Sequence, residues 1–83
     1  MRLSELKDLT AIMAQAYNLT WHLEVTGDGY EIRFINANPK YYGVVIIEPS
    51  RMLQSDVQFQ IREEMENLLD SMLEGIEELK GQQ

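Results

Sequence analysis

The sequence predicts an α+β fold: a single small domain ordered α-β-β-β-α, with a three-stranded antiparallel meander packed on one face by two helices. Three observations predict it. Apolar residues recur at three and four near the N-terminus, alternate in mid-chain, and return to three-and-four spacing toward the C-terminus. An Asp-Gly pair splits the alternating stretch, as a hairpin turn would. The chain has 83 residues, which bounds it to one domain, 1–83, near the low end of what folds without a staple.

Residues 4–17 read as the first helix. Ser4 is placed to cap it, and Glu5 and Asp8 fall in the first turn, where the helix dipole favours negative charge. Leu6, Leu9, Ile12, Met13, Ala16 and Tyr17 form its apolar stripe, and Asn18 ends it. Residues 20–36 then alternate, with Trp21, Leu23, Val25, Ile32 and Phe34 on one face. Centring the turn on Asp28-Gly29 sets Glu24 against Arg33. Moving the turn back sets Glu24 against Glu31, and opposed like charges cost roughly a few tenths to 1 kcal/mol, so the first register is expected. Trp21 and Phe34 fit the core by parity.

Residues 36–40 read as a loop and 41–48 as a third strand of a different kind. Tyr41, Tyr42, Val44, Val45, Ile46 and Ile47 leave it no polar face, which implies cover on both sides and hence a partner. A glutamate at either 45 or 46 is expected to harm folding or solubility. Beyond Pro49 the chain is mainly helical. Ile61, Met65, Leu68, Leu69, Met72, Ile76 and Leu79 form one face, and Glu63, Glu66, Asp70, Glu74 and Glu77 the other. Extending this helix back to a Ser55–Gln58 capping box places Phe59 among the acids. The alternation of Val57, Phe59 and Ile61 leaves a short fourth strand at 57–61 as the alternative. Gly81 ends the helix.

Composition excludes several chemistries. The absence of cysteine removes disulfides, thiolate metal sites and thiol nucleophiles; it suits a cytoplasmic protein without requiring one. The longest apolar run, 44–47, is far short of a membrane span. The single histidine, His22, lies on a polar strand face with no second histidine to complete a metal site. Gly27-Asp28-Gly29 lacks the downstream lysine of a phosphate loop and reads as a turn. No nucleophile stands beside a base. We expect no enzyme activity, no catalytic residue, no metal and no cofactor.

The charge is unevenly placed. The net charge is −7; residues 56–83 hold eight acids and two bases, against six acids and five bases before them. That balance argues against direct contact with nucleic acid or an anionic membrane and for a protein partner with a basic surface. The expected partner-binding residues are Glu63, Glu64, Glu66, Asp70, Glu74, Glu77 and Glu78, with Tyr41 and Tyr42 as interface aromatics. Small size, lack of chemistry and a negative helix together describe an inhibitor. It would mimic nucleic acid on a nucleic-acid-binding protein, as phage-encoded anti-defence proteins, anti-CRISPR proteins among them, do. The alternative is a homodimeric chaperone or adaptor, or a small subunit of a larger assembly. In element order and charge, the chain is similar to small acidic secretion chaperones, which are longer; the resemblance implies a homodimer.

Overall fold

The computed structural model describes residues 1–82. Helix α1 (Leu3–Ala16) leads into strands β1 (Thr20–Thr26), β2 (Gly29–Asn36) and β3 (Tyr41–Ile47), followed by a short 3-10 helix (Pro49–Leu53) and the long helix α2 (Val57–Gly81). The strands form one antiparallel sheet in the order β1-β2-β3, and both helices cover the same face. This is the α-β-β-β-α meander that the periodicities predict. The molecule measures 44 × 24 × 17 Å, drawn out by the 25 residues of α2.

Helix α1 begins one residue before Ser4, so Ser4 is not its cap. The carboxylate of Glu5 accepts the Arg2 backbone N–H at 3.0 Å, and half-buried Leu3 joins the core margin. At the other end Asn18 takes φ 57°, while the Leu19 and Asn18 amides donate to the carbonyls of Ala14 and Gln15. That pairing is a Schellman motif with asparagine at the left-handed position. It closes the helix and turns the chain into β1.

The hairpin adopts the register that charge pairing disfavours. Thr26 faces Gly29, Leu23 faces Ile32, and Glu24 faces Glu31. The turn is centred on Gly27-Asp28, and Thr26 closes it. Its hydroxyl donates to the Gly29 carbonyl at 3.1 Å and accepts from the Asp28 amide at 3.2 Å. Gly29 has φ 136°, and a Cβ there would sit 2.5 Å from the Ile47 carbonyl oxygen. A position where only glycine fits thus anchors β2 against the end of β3. The like-charge cost is softened along each strand, where His22 meets Glu24 at 2.9 Å and Arg33 approaches Glu31 at 3.9 Å.

Parity holds in both registers, so Ile32 and Phe34 are fully buried as expected. Trp21 and Val25 share that face but remain 36% and 70% exposed. β1 is an edge strand: Trp21 lies at the margin of α1, beside Ala14 and Gln15, and is only partly covered, while Val25 at the far end of the strand is open. The centre of the core lies between β2, β3 and α2. Leu6, Met13, Ile47, Met52, Ile61, Met65, Leu69 and Met72 fill it, so four of the five methionines are packed inside. Thr10, the one buried polar side chain among the described residues, donates to the Leu6 carbonyl at 2.7 Å.

Helix α2 is continuous from Val57, and no fourth strand forms among the described residues. Ser55 is not its cap. Pro49 opens the preceding 3-10 turn, and Asp56, at φ 60°, swings the chain into the helix with no side-chain cap. Against the sheet, α2 comes closest over Gly43, where a Cβ would meet Leu68 Cδ1 and Met72 Sδ at 2.9 Å. Gly75 likewise leaves room for the Tyr41 ring.

Among the described residues, only one side of β3 is covered. Val45 is half-buried against the core, whereas Ile46 points to the opposite face and is 47% exposed. The two positions should therefore respond differently to the same substitution. Val45→Glu is expected to lose about 2 kcal/mol or more in urea denaturation, because it puts a carboxylate at the core. Ile46→Glu should lose at most about 1 kcal/mol, the repulsion from Glu31 directly across the strand. Equal losses would show that both faces are covered.

Candidate protein-docking surface

The exposed side of α2 follows from its buried side. Ile61, Met65, Leu69, Met72 and Ile76 must face the sheet, and a helix turning about 100° per residue then carries the intervening acids outward. All eight acids from Asp56 onward are exposed. Five of them, Glu63, Glu66, Asp70, Glu74 and Glu77, recur at three and four and line one ridge about 21 Å long. Glu64 and Glu78 fall on the other flank. Glu64 is engaged by Arg51 at 2.8 Å, tying α2 to the 3-10 turn.

The chain's own cations neutralise little of this ridge. Arg62 pairs with Glu66 at 3.3 Å and Lys80 with Glu77 at 3.7 Å, both within the helix and open to water. Such pairs contribute a few tenths of a kcal/mol and leave the carboxylates reachable. Glu63, Asp70, Glu74 and Glu78 have no lysine or arginine partner among the described residues.

Asp70 has a different role on the ridge. It accepts a hydrogen bond from the Tyr17 hydroxyl at 2.8 Å, clamping the end of α1 to the middle of α2. That bond raises the Tyr17 pKa above its ordinary value; partial burial and the charges of Asp70 and Glu66 add to the shift.

The two interface tyrosines separate. Tyr41 points to the helix side of the sheet, half-buried against Gly75, and belongs to the packing. Tyr42 points to the open side, 57% exposed, with the Arg33 guanidinium 5.7 Å from its ring centre. With Val44 and Ile46 it forms an apolar strip on a sheet face that no element among the described residues covers. The structure thus groups five of the seven acids, sets two on the other flank, and assigns the tyrosines to opposite faces. His22 is exposed and occupied by Glu24. No set of three or more metal-ligating side chains converges among the described residues, and none of their helices is long and apolar enough to cross a membrane.

Sequence reasoning passed over one feature of this surface. Phe59 lies four residues before Glu63, at the head of the ridge, and is 65% exposed; Ile12 of α1, across from it, is 61% exposed. The signal was present, since a helical reading of 57–61 places Phe59 among acids.

A scan of family models finds no match to this chain, and searches of curated proteins and of solved structures find none either.

Replacing Asp70 by Asn should bring the Tyr17 pKa back toward the ordinary tyrosine value, followed by NMR titration of the Tyr17 ring. Because the folded-state pKa is raised, the contribution of this contact to stability is complete below the ordinary tyrosine pKa. It is lost as pH climbs through the raised one. An unchanged titration in the variant would mean that the hydrogen bond is not the cause.

Proposed function

We propose that this chain is a non-enzymatic, cytoplasmic protein-binding module. It docks the acidic ridge of α2 onto the basic surface of a nucleic-acid-binding protein and inhibits it by occupying the nucleic-acid site, in the manner of a mobile-element anti-defence protein. The observation that carries this reading is the ridge Glu63–Glu66–Asp70–Glu74–Glu77, exposed and largely unmatched by the chain's own cations. Carboxylates on successive turns stand about 5 Å apart, and phosphates along a duplex strand roughly 7 Å apart. Side chains built to grip phosphates, arginine above all, can therefore follow the row. The same charge disfavours nucleic acid and anionic membranes as direct partners.

A captured target tests it directly. Binding should weaken as salt rises, mainly through slower association. The variant carrying Glu63→Gln, Glu66→Gln, Glu74→Gln and Glu77→Gln should bind about tenfold or more weakly, with its fold intact. Asp70 is left unaltered to preserve the Tyr17 clamp. Salt-indifferent binding, or full affinity in the variant, would remove the charge mechanism.

A second reading rests on a separate observation, the uncovered apolar strip of Tyr42, Val44 and Ile46. It would make the chain a homodimeric adaptor or a subunit of a larger assembly, with two such faces meeting. Sedimentation should then show a dimer that Val44→Lys with Ile46→Lys converts to monomer. A wild-type monomer at high concentration would exclude the homodimer.

A further inference from the structure

On the open face of the sheet the two strand registers fix a grid of side chains. Glu24 of β1, Glu31 of β2 and Ile46 of β3 form one cross-strand row. His22, Arg33 and Val44 form the next, and Thr20, Ile35 and Tyr42 the third. The hairpin register that local charge pairing disfavours thus sorts the charged residues of this face into an acidic row with a basic row beside it. The contacts these groups make run along their own strands. His22 meets Glu24 at 2.9 Å, and Arg33 approaches Glu31 only to 3.9 Å, while its guanidinium lies over the Tyr42 ring. All four charged side chains remain open to water to some degree, Glu31 the least.

We propose that this face packs on the same face of a second copy, each strand lying over its own counterpart in the opposite direction. The proposal rests on the homodimer reading above and adds the orientation and register of the pair. A two-fold axis between the sheets, running across the strands and between the acidic and basic rows, exchanges those rows. Glu31 then meets Arg33 of the second copy and Arg33 meets its Glu31. Glu24 meets His22 of the second copy, and Ile46 meets its Val44. Facing sheets stand about 10 Å apart with strands within about 30° of each other, so side chains of opposed rows interdigitate. The other two-fold arrangements match less well. An axis along the strands lets Glu31 and Arg33 meet only members of their own rows. An axis across the strands through either charged row sets that row on itself. An axis between the second and third rows sets Arg33 on Ile35 and takes a guanidinium out of water with no carboxylate opposite. A partner carrying one sign of charge is repelled by one of the two rows; a second copy carries both, in the required order.

The test uses the full chain and reads self-association by sedimentation equilibrium. Glu31→Arg and Arg33→Glu, made separately, each set like charges opposite one another and should weaken the dimer about tenfold or more. An equimolar mixture of the two variants should restore it, because their rows then carry opposite signs. A second measurement needs no substitution. In a wild-type sample mixed from isotope-labelled and unlabelled chains, filtered NMR should show contacts between Val44 methyls of one copy and Ile46 methyls of the other. A dimer indifferent to both charge reversals would overturn the register and leave the homodimer reading standing. So would a mixture that stays monomeric while circular dichroism shows both variants folded, or inter-copy contacts joining Val44 to Val44. A wild-type monomer at high concentration would overturn both.

Discussion

The contact on which the rest of this structure depends is the seat of α2 on β3. It is made close by two glycines. Gly43 keeps the strand bare beneath Leu68 and Met72, and Gly75 keeps the helix bare beside Tyr41. Around that approach Ile61, Met65, Leu69 and Met72 are sealed against Ile32, Phe34 and Ile47. Each such side chain contributes about 1.5–3 kcal/mol by leaving water, a large share in a domain of this size. Once this face of α2 is buried, the opposite face has nowhere to point but solvent. The acidic ridge is thus an outcome of core packing as well as of the residues that compose it.

Holding like charges in a row on one helix has a cost. Glu66, Asp70, Glu74 and Glu78 stand at i, i+4 spacing, where repulsion removes a few tenths of a kcal/mol per pair. The buried face exceeds that cost comfortably, so the ridge survives without internal neutralisation. Screening over about 8 Å at physiological salt confines its field to the near surface. Charge of this kind governs approach and selection of a partner more than residence on it.

The two candidate surfaces occupy opposite sides of the molecule. The ridge belongs to the helix layer; Tyr42, Val44 and Ile46 belong to the bare face of the sheet. Occupying one does not obstruct the other. A protein joined to a copy of itself through its sheet would still present its helices outward, and the two readings of function are physically compatible.

Much of this architecture is legible in the residue pattern because the signals are local. Three-and-four spacing marks α1 and α2, alternation marks the strands, and Asn18 marks the end of α1 because asparagine tolerates the left-handed conformation that a Schellman turn requires. The anionic face of α2 is legible for the same reason: helical geometry turns spacing into sidedness. Other features arise between elements and leave no local trace. The hairpin sets Glu24 against Glu31 while Gly29 packs closely on Ile47 of the third strand, a contact between distant segments that local charge pairing does not foretell. Trp21 shares a face with buried Phe34 yet is only partly covered, because it sits at the margin of the sheet beside Ala14 and Gln15 of α1. Neighbouring tyrosines 41 and 42 took opposite sides, one into packing and one into solvent. Ile12 and Phe59 lie across from each other only because two helices far apart in sequence pack side by side. Periodicity determines which side of an element is apolar; what covers that side depends on contacts between distant segments, and tertiary structure alone decides them.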